Sequence, residues 1–242
     1  MTHRLSALLT VLALAACTKP APETPPGPPP PNTLTQAQQD SGWTLLFDGK
    51  SLDQWRGYQN DSAPVGWRVD SGAIIKDSSA EDIVTRDTFD NFELVMDWQL
   101  TKGGNAGIFY RGNEKYEHVY WTAPEYQLLD DTNAPDGASR LTSAGADYGL
   151  YPSPAGHLSP LGEWNTARIV VNGDSVEHWL NGTLLVSYVL GSDDWKAKVK
   201  ASKFAEWPDY GKLPSGVIAV QGDHNGRLML RNVKIRRLKA EG

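Results

Sequence analysis

Two Asn-Gly pairs, Asn172-Gly173 and Asn181-Gly182, stand between three strand-like runs and leave that part of the chain little choice of fold. Asn and Gly tolerate the positive φ of a type I′ turn. Ile169 to Val171, Ser175 to Leu180 and Thr183 to Tyr188 are therefore predicted to form two successive tight hairpins. Other runs repeat the pattern at turn-separated intervals: Trp43 to Phe47, Trp67 to Val69, Ala73 to Ile75 and Ile83 to Thr85. The longest spans Phe92 to Leu100, with Phe92, Leu94, Met96, Trp98 and Leu100 on its core side. Gly216 to Gln221 and Leu228 to Arg237 close the series, the last read as a solvated edge because Arg231, Arg236 and Arg237 punctuate it. Residues 43–238 are thus expected to form one all-β domain of two packed antiparallel sheets, with helix under about a tenth of it. Ser192 to Lys200 reads as a short helix capped by Ser192, and Leu34 to Gln39 as a helical turn entering the domain. Thr132 to Glu163, rich in Gly, Pro, Ser and Ala, is expected to be a long loop of the kind that carries function.

The N-terminal end reads as an address. Arg4 precedes an apolar run from Leu5 to Ala16, too short to span a bilayer and shaped like a signal-peptide core. It ends in Leu14-Ala15-Ala16-Cys17, which resembles the lipobox of bacterial lipoproteins. That resemblance implies cleavage before Cys17, lipidation of its thiol, and a place in the cell envelope, with Thr18 favouring the outer membrane. Cys17 is the chain's one cysteine, so no disulfide framework exists. Half of the sixteen prolines fall between Pro20 and Pro31, making residues 17–42 an extended tether. The net charge of −6 argues against nucleic acid as a partner, since phosphate binding calls for a basic face.

The central stretch carries charges in otherwise core-like strands. Gly103 to Arg111 and Glu125 to Asp131 each alternate apolar with polar residues, and isolated buried charges are costly unless paired or functional. Alternation puts Phe109 and Arg111 on one face of the first run, and Glu125 and Gln127 on one face of the second. If the runs pair, Arg111, Glu125 and Gln127 form one polar cluster. It is either a self-satisfied Arg111–Glu125 ion pair or part of a site.

Leu46-Phe47-Asp48-Gly49-Lys50-Ser51-Leu52 with Trp55, Gly107-Ile108-Phe109-Tyr110-Arg111, and Glu125-Tyr126-Gln127-Leu128-Leu129-Asp130 resemble motifs of the 3-keto-disaccharide hydrolase domain family (DUF1080). Trp164-Asn165, the two Asn-Gly turns, Gln221-Gly222-Asp223-His224 and Arg231-Asn232-Val233-Lys234-Ile235 continue the resemblance across nearly all of residues 43–238. Here Gly222 intervenes in a closing motif that in the family reads closer to Gln-Asp-His-Gly. The resemblance implies a concanavalin-like jelly roll of two antiparallel sheets, with a sugar site on the concave face. It also implies cleavage of glycosides already oxidised at sugar C3. A C3 ketone acidifies the C2 hydrogen, so a base can remove it, the C1 substituent can leave, and water can add to the enone. Such chemistry needs a base, a proton donor and a positive group for the enolate. Glu125 and His224 are the candidates for proton transfer and Arg111 for the oxyanion. Gln127, Asp130, Asp223, Tyr110, Trp121 and Trp207 are candidates for holding the sugar, with Tyr120 and Tyr210 as further stacking or packing rings. A sugar 3-oxidoreductase would be the natural partner.

Two other readings fit the same residues. A retaining glycosidase would use Glu125 and Asp130 as its pair, although Gln127 stands where a middle acid is usual and Asp130 falls on the opposite strand face. A lectin-like module would need only the aromatics and amides. His118, His157, His178 and His224 show no metal-binding spacing, while a Ca²⁺ or similar ion held by loop carboxylates would leave no sequence signature.

Overall fold

The computed structural model describes residues 29–62 and 64–239. The leader expected over residues 1–16, Cys17 and most of the proline-rich stretch lie outside the described residues. The strands are, in chain order, β1 (Trp43–Leu45), β2 (Trp55–Gly57), β3 (Trp67–Asp70), β4 (Ala73–Lys76), β5 (Ile83–Thr85), β6 (Phe92–Leu100) and β7 (Asn105–Gly112). They continue with β8 (Glu125–Leu129), β9 (Asn165–Asn172), β10 (Ser175–Leu180), β11 (Thr183–Val189), β12 (Val217–Val220) and β13 (Leu228–Arg237). Among the described residues two short α-helices accompany them, α1 (Gln36–Asp40) and α2 (Asp193–Lys200).

The strands form two antiparallel sheets. The larger runs β11-β10-β9-β6-β13-β4-β3, with β1 also paired to β13, and the smaller runs β2-β5-β12-β7-β8. Inward-facing residues of both fill the space between them: Phe92, Leu94, Met96, Trp98 and Leu100 from β6, and Ala106, Ile108 and Tyr110 from β7. Each such large side chain contributes about 1.5–3 kcal/mol on leaving water. This is the two-sheet sandwich expected from the alternation.

Turn chemistry differs between the two hairpins. Leu180 pairs with Thr183, leaving Asn181 and Gly182 as the loop, and their φ values of 50° and 82° make a type I′ turn. In the first hairpin Asn172 pairs with Ser175, so the loop is Gly173-Asp174, one residue later than expected. There only Gly173 is left-handed, at 59°, the pattern of a type II′ turn. Ser192 caps α2 by accepting from the Trp195 N–H at 3.1 Å, as its sequence predicts.

The reading of β13 as a solvated edge is corrected. It lies between β6 and β4, at the centre of the larger sheet. A central strand with one wet face alternates just as an edge strand does. Leu228, Leu230, Val233 and Ile235 face the core. Its arginines lie on the outer face, Arg236 donating to Glu93 at 2.7 Å and Arg231 stacking on Trp164 at 4.0 Å. A bulge in β13 carries Asn232 at φ 52°. Asn232 and Asn32 clasp each other there, each backbone N–H donating to the other's side-chain oxygen at 2.6 and 2.7 Å. The Asn32 amide also reaches the Gly72 carbonyl at 2.8 Å.

Candidate active site

The outer face of the smaller sheet is apolar at one end, where Val84, Phe109, Val217 and Ala219 cluster. Alternation carries the same face into polar residues at the other end: Asp82 ahead of β5, Gln221 after β12, Asn105 on β7, and Glu125 and Gln127 on β8. Gly107 lies among them, opposite Gln127 in the β7–β8 ladder. Its lack of a side chain is what makes the floor. A Cβ at Gly107 would fall 2.2 Å from Glu125 Oε1 and 2.7 Å from its carboxyl carbon. The Glu125 side chain therefore lies flat across a bare stretch of backbone.

Four loops raise walls around this floor into a cleft of about 390 Å³. Tyr120 comes from the turn before β8, Asp136 and Tyr148 from the 132–163 loop, and Asp223 and His224 from the β12–β13 loop. Lys203, Phe204 and Trp207 come from a single turn after α2, capped by Ser202 accepting from the Phe204 N–H. Buried Lys76 fixes the β12–β13 loop by donating to the carbonyls of His224 and Gly226, at 2.5 and 3.3 Å. Gly222, the residue added to the closing motif, packs so tightly that a Cβ would meet the Glu81 carbonyl oxygen at 2.2 Å. Its N–H donates to Asp82 at 2.7 Å.

Electrostatics single out Glu125. No donor among the described residues reaches its carboxyl by hydrogen bond. Burial pushes its pKa up to about 8; Lys203 opposes that rise, while Asp223, Asp82 and Asp136 add to it. Asp82 rises to about 6, mainly through burial, with the Gly222 N–H opposing. Beneath the floor, the backbone of residues 145–148 covers the free edge of β8, Gly145 donating to Gln127 and Tyr148 to Glu125. Asp147 in that segment is fully buried with both carboxyl oxygens unpaired, and burial followed by the nearby Glu125 holds it well above the carboxylate range. Gln127 donates to Asn105 at 3.2 Å, which leaves its own oxygen, like that of Gln221, buried without a partner.

A model of the 3-keto-alpha-glucoside-1,2-lyase-like domain matches residues 42–236, almost the whole described domain. The chain belongs to that family. A Bacteroides thetaiotaomicron relative named 3-keto-disaccharide hydrolase is 34% identical over 84% of each chain. The crystal structure of a candidate glycosyl hydrolase from Parabacteroides distasonis superposes with a TM-score of 0.81 at 35% identity, covering 87% of this chain and 100% of that one. A galectin-like protein from Bacillus subtilis shares the fold, with a TM-score of 0.55 at 13% identity over 82% of this chain and 96% of its own.

In this lyase-like domain the cleft unites Glu125, Gln127, Asp223, His224 and Trp207, as the sequence led one to expect. Trp121 stands one ring behind, stacked on Trp207 at 6.1 Å. Three candidates go elsewhere. Arg111 adopts φ 54° where the β7–β12 register shifts, which breaks the alternation that would have aligned it with Glu125. Its guanidinium instead donates to the carbonyls of Asp90 and Gly173. Neither the expected cluster nor the Arg111–Glu125 ion pair forms. Tyr110 points into the sandwich, where its hydroxyl meets His178 Nε2 at 2.9 Å and the Tyr188 hydroxyl. Because His178 Nδ1 faces the Gly145 carbonyl, Nδ1 carries the proton and Nε2 accepts from Tyr110; burial keeps this imidazole neutral, with its pKa near 4. Asp130 is a turn staple, accepting from the Gly103 N–H at 2.8 Å and the Asn133 amide at 2.7 Å. Burial works against its charge, but those bonds outweigh it and hold its pKa below the usual value. The Glu125–Asp130 pair of a retaining glycosidase is thus not assembled.

Asp82, Asn105, Asp136, Tyr148 and Lys203 were not singled out from the sequence. Strand parity with Val84 could have flagged Asp82. Nothing local marks Lys203, which the turn after α2 carries over the cleft. Among the described residues, no group of three or more His, Cys, Asp or Glu side chains is placed to hold a metal ion.

Proposed function

We propose that this carbohydrate hydrolase cleaves glycosides bearing a ketone at sugar C3, by C2 deprotonation, elimination of the C1 oxygen and addition of water. The observation that carries the reading is Glu125, an unpaired carboxyl in a sugar-sized cleft with its pKa near 8. Once ionised, such a group is a far stronger base than an ordinary carboxylate, and a base is what an acidified C–H requires.

Glu125 takes the C2 proton, and the bond's electrons move into the C3 carbonyl as an enolate. The Lys203 ammonium supplies the positive field for that charge, the role first expected of Arg111. Collapse of the enolate breaks the C1–O bond, and His224, on the wall of the cleft, is the group placed to pass a proton to the departing oxygen. Water then adds to the enone, hydroxyl to C1 and proton to C2. Trp207 and Tyr120 offer faces to the sugar, and Gln127, Gln221 and Asp136 offer hydrogen bonds to its hydroxyls. The C3 ketone requires a prior oxidation, so a sugar 3-oxidoreductase is the partner this chemistry calls for. A lipid on Cys17 would hold the enzyme at the cell envelope, on the proline-rich tether.

In deuterated water the product of a 3-keto-glucoside should carry enzyme-dependent deuterium at C2, while the unoxidised glucoside should not react. Turnover should rise with pH through about 8 as Glu125 ionises. Glu125→Gln should lower turnover by roughly 10²–10⁴-fold, the usual worth of a positioned acid or base. Product without C2 label above the ketone's own exchange, together with near-normal activity of that variant, would mean the elimination route is wrong.

A further inference from the structure

A second cavity, of about 650 Å³, opens between α2 and residues 204–214. It is larger than the Glu125 cleft and shares Phe204 and Trp207 with it as a common wall. Trp195, Phe204, Trp207 and Tyr210 supply its aromatic surface, with Tyr210 stacked between Phe204 at 4.3 Å and Trp195 at 5.9 Å. In a chain of net charge −6, its charged lining is inverted: Arg111, Lys196, Lys200 and Lys212 against Asp174.

Arg111 is the unusual member. It is only 6% exposed, yet no carboxylate among the described residues lies within ion-pair distance. Its Nε and Nη2 are occupied by the Asp90 and Gly173 carbonyls and the Asn91 side chain, and Nη1 has no acceptor among the described residues. Nη1 is not among the enclosed unpaired atoms, so this nitrogen of an otherwise buried guanidinium is accessible and free to meet an anion. A left-handed backbone at a bulky residue is strained, and such strain gathers where a side chain must be aimed.

We propose that this cavity is a second ligand site, for a small aromatic carboxylate whose ring lies against half-buried Trp207, beside the packed rings of Trp195, Phe204 and Tyr210, and whose carboxylate meets Arg111 Nη1. The ring fills an apolar pocket that aliphatic sugars match poorly, and the lysines at the rim draw the anion in.

Calorimetric titration of the full chain with naphthalene-2-carboxylate and with naphthalene-2-methanol tests the site. The acid should bind at least about tenfold more tightly than the alcohol, one charge-assisted contact being worth that much. Arg111→Lys, which keeps the charge but loses the fork, should weaken the acid about tenfold and leave the alcohol unchanged. Lys200→Glu, exposed and away from the loop carbonyls, should weaken the acid several-fold, and it decides the matter if Arg111→Lys fails to fold. Glu125→Gln should leave the acid's affinity unaltered. Absence of binding, equal binding of acid and alcohol, or full affinity in both basic-residue variants would overturn the site. So would tighter binding to Glu125→Gln, which would place the acid in the other cleft.

Discussion

At Gly107 strand β7 keeps strict alternation and contributes by having nothing there, so that Glu125 can lie across it. Four residues on, at Arg111, the same strand breaks alternation and contributes by swinging a long side chain out of the ladder to loops beyond the sheet. The first end shapes the cleft floor through absence; the second anchors structure, and as proposed a ligand, through a displaced cation. Motif similarity lumps both into one run, Gly107 to Arg111. Backbone geometry separates them.

Four substitutions can break or sharpen the contrast. The largest effect is expected over Gly107, in the titration of Glu125. Its folded pKa is raised, so between the ordinary value near 4.5 and about 8 the folded state holds a proton that the unfolded chain releases. Stability should therefore fall as pH rises through that window. Glu125→Gln should remove this dependence and stabilise the fold at pH 8 by on the order of 3 kcal/mol relative to its effect at pH 4.5. Denaturant midpoints that shift equally at both pH values would dissolve the account of the buried carboxyl.

Gly107→Ala comes next. The added methyl must displace the Glu125 carboxyl, and kcat should drop about 10²-fold, as misplacement of a catalytic group by an ångström does. Unaltered kcat would show that Glu125 does not need its bare floor. At the other end, Arg111→Lys should cost about 1–3 kcal/mol of stability through lost carbonyl partners, read as a lower Tm. The rising pH limb attributed to Glu125 should stay where it was, because Arg111 is not among the charges that shift it. Movement of that limb would join the two ends electrostatically. Smallest is Gly182→Ala in the type I′ turn, where a Cβ meets nothing within 4 Å. Only the φ of 82° opposes it, at about 1 kcal/mol. Set beside Gly107→Ala, this isolates conformational strain from steric collision.

What could be read in advance follows the reach of each interaction. β6 and the hairpins are local patterns of alternation and turn residues, and the structure keeps them, with the first turn shifted by one residue. Glu125 and Gln127 were legible because β8 is regular, so parity alone puts them on one face. Arg111 was not, because its direction depends on a register shift against β12, a partner more than a hundred residues away. Tyr110 looks like a sugar platform in sequence; only the opposing sheet supplies the His178 and Tyr188 that absorb its hydroxyl. Lys203 and Asp136 reach the cleft from loops whose meeting is set by tertiary packing alone.

The clasp between Asn32 and Asn232 bears on how the molecule is presented to its surroundings. Asn232 donates to Asp97 on the outer face of the larger sheet, while the cleft opens on the outer face of the smaller one. The chain leading in from the N-terminal side therefore joins the domain at its back. Force transmitted along that chain would be received by Asn32, handed to β13, and spread through β6 and β4 as shear between paired strands. The cleft, on the far sheet, would feel none of it directly.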